Sequence, residues 1–203
     1  MKTKQLFTIE NGALISLEKN IRIFTRDCIL FDSEKIANDA KANELLSCAD
    51  ETLLATIYSN INFQNENSKP LVAILVSYEN VRAQNSFNEA FLAHLRSLLK
   101  KLELLSVFAF IFPCFNKTEN FSNQNEAFVH VARRIKDCAN VVGFAIPFEI
   151  RHNDAIVFKD SFFEKHPFYI FFVEEKNANE NIDEKNENEN VRNDKNVISF
   201  RLK

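Results

Sequence analysis

Four continuous apolar runs constrain this chain more than any other feature: Leu71–Ser77, Val107–Phe112, Val141–Ile146 and Phe168–Val173. A strand that is apolar at consecutive positions, rather than alternate ones, belongs to a sheet covered on both faces. Between the first two runs, the segment from Ser86 to Leu105 gathers Phe87, Phe91, Leu95, Leu98, Leu99 and Leu102 on one side of a helix. Between the second and third, Glu126 to Cys138 does the same with Ala127, Phe128, Val131, Ile135 and Cys138. Strand, helix, strand predicts a right-handed parallel crossover. The expected fold is α/β: a three-layer sandwich with a mainly parallel central sheet.

The N-terminal region has a different rhythm. Gln5 to Glu10 and Ala13 to Glu18 are short β-prone runs joined by Asn11-Gly12, the pair favoured in a type I′ turn because both central residues need positive φ. Ile21 to Thr25 and Cys28 to Phe31 extend this hairpin into an expected antiparallel meander. From Ser33 the period becomes helical, with Ile36, Ala37, Ala40, Leu45 and Leu46 at helix spacing and Asp50 placed to begin a second helix. Asn60 to Pro70 is polar and reads as a linker. Later in the chain, His152-Asn153-Asp154 between Phe148–Arg151 and Ala155–Lys159 reads as a second hairpin.

Beyond Glu174 the composition collapses. Glu175 to Asn196 holds only Ala178, Ile182 and Val191 as apolar residues, too few to offset the entropy of ordering it, which predicts disorder. Val197 to Leu202 is apolar again and could add a strand to a sheet edge of this chain or of a partner. The expected organisation is residues 1–32 as a β hairpin or meander, 33–69 as a helical pair and linker, 70–174 as the α/β core, and 175–203 as a disordered polar tail with a short apolar end.

Composition narrows the function classes. With 21 Phe, abundant Asn and Lys, 2 Gly and no Trp among 203 residues, usage has the bias of a genome poor in G and C, and a bacterial source is expected. Gly12 and Gly143 stand too far apart for any phosphate-cradling glycine loop, so no cofactor is expected. Cys28, Cys48, Cys114 and Cys138 never approach C-x-x-C spacing, and no metal motif exists. Net charge is −3 with Lys and Arg scattered, so nucleic acid is not an expected partner. No run approaches membrane-spanning length and no leader is apparent, which points to a cytoplasmic protein.

In open α/β sheets ligands sit beyond the carboxyl ends of the strands. The residues emerging there are Glu79 and Asn80 after the first run, Cys114 and Lys117 after the second, and Glu149 after the third. Cys114 is the candidate nucleophile, since a nearby lysine would favour its thiolate; Glu79 and Glu149 are the other candidate site residues. No histidine can be placed beside Cys114 from sequence, so no complete catalytic set assembles. The expected role is a non-catalytic accessory or regulatory subunit acting through protein contacts. The alternatives are a small-metabolite enzyme around Cys114 and a degenerate α/β enzyme kept as a subunit.

Overall fold

The computed structural model describes residues 4–25, 28–58, 68–84, 86–147, 150–175 and 195–202. In chain order the strands are β1 (Phe7–Glu10), β2 (Ala13–Ser16), β3 (Ile21–Ile23), β4 (Ile29–Asp32), β5 (Ser68–Lys69), β6 (Leu71–Ser77), β7 (Arg82–Ala83), β8 (Ser86–Phe87), β9 (Phe108–Cys114), β10 (Val141–Ala145), β11 (Ile170–Glu174) and β12 (Val197–Phe200). The helices are α1 (Asp39–Ser47), α2 (Asp50–Tyr58), α3 (Tyr78–Val81), α4 (Glu89–Leu104), α5 (Phe121–Ile135) and α6 (His152–Phe163), with a 3₁₀ turn at Ser33–Ile36.

The central sheet is α/β and parallel throughout its six strands, in the order β12-β11-β10-β9-β6-β4. Spatial order therefore follows chain order, and no strand crosses back. A chain wound in one direction places every crossover helix on the same face, and the accumulated twist curls the sheet. Its two edges meet: Cys28 bridges Leu202 in parallel, the Cys28 N–H donates to the Arg201 carbonyl at 2.9 Å, and the Arg201 N–H to that of Thr25 at 3.1 Å.

Each face of the sheet carries its own core. On the outer face, Val72, Ile74 and Val76 of β6, Ala109 and Ile111 of β9 and Phe171 of β11 pack against the helices, chiefly Phe91, Leu95 and Leu99 of α4, Phe128 and Val131 of α5 and Phe158 and Phe162 of α6. On the inner face, Leu71, Ala73, Phe108, Phe110, Val142, Ile170, Phe172 and Phe200 form a second core. Phe7, Leu14 and Ile23 of the N-terminal strands join it, Phe7 meeting Phe108 edge-on at 5.7 Å. Because Leu71, Phe108 and Ile170 begin or nearly begin their strands, this antiparallel β1-β2-β3 sheet, extended by β5 in parallel, covers the amino-terminal end.

The expected I′ turn is present, with Asn11 at φ 51° and Gly12 at φ 71°. Helix starts are capped by local side chains: Asn38 accepts from the Lys41 N–H, Asn88 from Phe91 and Asn120 from Asn123. Three expectations need correction. The stretch Cys28 to Phe31 does not extend the meander; β4 pairs with β6 in parallel, from Ile29 opposite Val72 to Asp32 opposite Leu75. The hairpin expected around His152-Asn153-Asp154 is helix α6, whose Ala155, Phe158 and Phe162 bury one stripe at helical spacing. Strand β9 does not stop before Pro113 but continues to Cys114, Pro113 lying opposite Val76. The apolar end of the chain does add a strand to a sheet edge, and the edge is this chain's own: β12 pairs with β11, Phe171 opposite Val197 through Glu174 opposite Phe200. The disorder expected of Glu175 to Asn196 falls mostly on 176–194, outside the described residues, as does part of the linker expected at Asn60 to Pro70.

Strand β10 contains an irregularity that the other core strands lack. Its pairing advances two residues, Val141 to Gly143, while β9 advances one, Ala109 to Phe110. That is a bulge. Val142 and Ala145 face the inner core and Val141 and Phe144 the outer one, so Val142 is the residue the ladder skips, and Gly143 resumes the pairing opposite Phe110 on β9 and Ile170 on β11. A Cβ there would lie 1.7 Å from the Ile170 carbonyl oxygen.

Candidate functional site

The carboxyl ends of the strands lie on the side where α/β proteins hold ligands. Following the inner face past Leu75, Phe112 and Phe172, the next positions are Ser77, Cys114 and Glu174, with Asp32 ending β4. Ser77 and Cys114 sit directly opposite each other. Below this rim the space is filled by phenylalanine: Phe110 stacks on Phe172 at 4.3 Å, and Phe200 meets Phe110 and Phe112 at 4.9 and 5.9 Å.

Most polar groups at the rim hold one another or the local backbone. The Asn116 amide donates to Glu79 Oε1 at 2.6 Å, tying the loop after β9 to α3. Gln124, buried on α5, accepts from the Asn116 N–H at 2.5 Å and donates back to the Asn116 carbonyl at 3.0 Å. Asp32 Oδ1 accepts from the Glu34 N–H at 2.9 Å and Ser77 Oγ from that of Asn80 at 3.4 Å, while the Asn80 amide reaches Ser33 at 3.5 Å. Among the candidate residues, Glu79 is thus part of a loop tether, Cys114 is partly buried at the end of β9, and Lys117 is exposed on the loop beyond it. Glu149 lies outside the described residues. None of the four cysteines is in a disulfide, and no group of three or more metal-ligating side chains occurs among the described residues.

The groups whose titration is displaced lie elsewhere. His130 on α5 is buried; its Nε2 is 3.0 Å from Glu89 Oε1 and its Nδ1 2.6 Å from Arg133 Nη2. A guanidinium only donates, so Nδ1 accepts and the proton sits on Nε2, facing the carboxylate. The longer 3.4 Å approach of Arg134 Nε to Nε2 is subordinate, since Arg134 Nη2 is engaged with Glu89 at 2.7 Å. Burial, with Arg133 and Arg134, lowers the pKa of His130, and Arg134 lowers that of Glu89. Phe87 stacks flat on the imidazole at 3.7 Å, and the Arg82 guanidinium lies 4.9 Å from the Phe87 ring centre. With both ring nitrogens occupied, this is a clasp fastening the β7-β8 hairpin and the start of α4 to α5. His130, Arg133 and Arg134 share a helix face at i, i+3 and i+4, the one trace of it in the sequence.

At the opposite, amino-terminal end, a small cavity opens between the starts of β10 and β11, lined by Lys4, Lys136 and His166 among others. Burial pushes the Cys138 thiol there up to about 12 and raises the Tyr169 phenol.

Singly wound parallel β/α topology with a curled sheet defines the class of scaffold. No family model matches the chain, and no curated protein matches it. Solved structures do. The exo-beta-1,4-mannosidase Op5Man5 from Opitutaceae bacterium strain TAV5 is similar with a TM-score of 0.56 and 14% identity, over 82% of this chain and 34% of that one. The Pseudomonas stutzeri endoglucanase Cel5A in complex with cellobiose gives a TM-score of 0.48 and 11% identity, over 62% of this chain and 41% of that one. The chain thus spans well under half the length of either, and the mannosidase likeness is one of fold alone. No helix among the described residues is long and apolar enough to cross a membrane.

Proposed function

We propose that this chain is a non-catalytic accessory or regulatory subunit that works through protein contacts on an α/β scaffold. The observation that supports it is the state of the strand carboxyl ends. Glu79, the candidate carboxylate at the rim, is held by Asn116 at 2.6 Å, and the interior beneath is packed with Phe110, Phe112, Phe172 and Phe200 rather than left open for a substrate.

The contact surface that fits a partner is the seam above the Cys28–Leu202 bridge. From Ile29 to Asp32, strand β4 has a ladder partner on the β6 side only, among the described residues. Leu30, at an inner-face position, is 44% exposed. An open edge with an exposed leucine is a template for an added strand.

The test is an affinity capture from the native host with an amino-terminal tag, comparing the intact chain with Leu30→Lys, each checked by circular dichroism. A stoichiometric partner that is retained by the intact chain and lost with L30K is the expected result. Recovery of the lone protein, together with turnover of a small-molecule panel that Cys114→Ser abolishes, would replace this reading with the enzyme.

A further inference from the structure

The cavity at the amino-terminal end of the sheet lies away from the rim and plays no part in the subunit reading. The charged side chains that line it are basic: Lys4 and Lys136, both solvent-exposed, border it, and among the described residues neither makes an ion pair. His166 lines it as well, is 8% exposed, and leaves Nε2 enclosed with no hydrogen-bond partner among the described residues. A buried nitrogen in that state costs stability unless something else satisfies it. Phe7, Val141 and Phe168 supply apolar walls, and Phe168 is 36% exposed at the rim. No carboxylate lines the cavity. Its volume of about 60 Å³ admits on the order of five non-hydrogen atoms at roughly 10–15 Å³ for each water-sized centre.

We propose that this cavity binds a short-chain monocarboxylate, the carboxylate between Lys4 and Lys136 beside His166 and the alkyl chain against Phe7, Val141 and Phe168. Two unpaired cations on one side and aromatic and aliphatic walls on the other select an anion with an apolar body. The volume restricts that body to two or three carbons. A bare inorganic anion would leave the apolar walls unfilled.

The experiment is an amide and side-chain NMR titration of the full chain with sodium propionate, set beside propionamide, its neutral isostere, and inorganic phosphate. Expected are saturable shifts at His166, Tyr169 and Val141 with propionate, half-complete at millimolar concentration as suits so small a ligand. Propionamide and phosphate should produce none, and Lys4→Ala with Lys136→Ala should weaken propionate by about tenfold or more, the loss of charge-assisted contacts. Equal shifts with propionate and propionamide, no saturation, or unchanged affinity in the double variant would each overturn the proposal. The isostere comparison uses the unaltered protein, so it stands even where the double variant folds poorly.

Discussion

Single residues decide several features that composition would not suggest. Gly143 is the clearest. The bulge in β10 turns Val142 inward and Phe144 outward, and the residue between them has its missing side chain aimed at the β11 backbone, with the Ile170 carbonyl 1.7 Å from where a Cβ would stand. Backbone cannot yield as a flexible side chain can. Gly143→Ala is therefore expected to lower unfolding stability by about 3 kcal/mol or more, read as a fall in the urea midpoint. A midpoint within error of the unaltered protein would mean that the bulge can relax. From sequence, Gly143 was notable only as one of 2 glycines. Nothing local distinguishes a bulge glycine from any other, because the clash it avoids involves a residue 27 positions later.

At the scale of elements, β12 matters most. Phe200 is fully buried against Phe110, Phe112 and Phe172; the strand extends the sheet from β11, and Leu202 just beyond it bridges Cys28 at the other edge. Phe200→Ala should cost about 3–5 kcal/mol, lost transfer energy plus the cavity left behind, measured by chemical denaturation. A chain ending at Glu175 should bind a hydrophobic dye and lose cooperative unfolding, since the inner phenylalanines would be bared. Cooperative unfolding retained in that truncated chain would show β12 to be an accessory strand. The apolar hexamer was legible in the sequence as a segment able to add to a sheet edge; which edge it joins was not. Helix α6 teaches the reverse lesson. His152-Asn153-Asp154 has turn chemistry, yet those residues form the first helical turn, because Ala155, Phe158 and Phe162 gain a buried stripe against Phe144 and Phe171.

At the scale of the whole molecule, stability should depend on pH through its buried histidines. Burial is the leading cause that lowers the pKa of both His130 and His166. Each binds a proton less readily when folded than when unfolded, so the unfolded chain gains protons first as pH drops below the ordinary histidine value of 6.5. Their contribution is complete above that value, is lost as pH falls through the depressed folded values, and then levels off. Urea midpoints at mildly acidic pH should accordingly lie below those at mildly alkaline pH, and His130→Gln with His166→Gln should flatten the difference. A midpoint that rises on acidification would contradict the burial of these rings. What the sequence by itself determined is the set of faces to be covered: consecutive apolar runs for strands buried on both sides, one stripe on each long helix, and a positive-φ turn at Asn11-Gly12. Those signals are local and are written in side-chain periodicity. Only the tertiary structure decided that β4 leaves the meander for the central sheet, that the six strands lie in chain order with their edges joined at Cys28 and Leu202, that His130 meets Glu89, and that Lys4, Lys136 and His166 share one cavity. Strands pair through backbone groups that are alike at nearly every residue, and the side chains that select among pairings lie far apart in the chain, so periodicity shows that a face is buried but not what buries it.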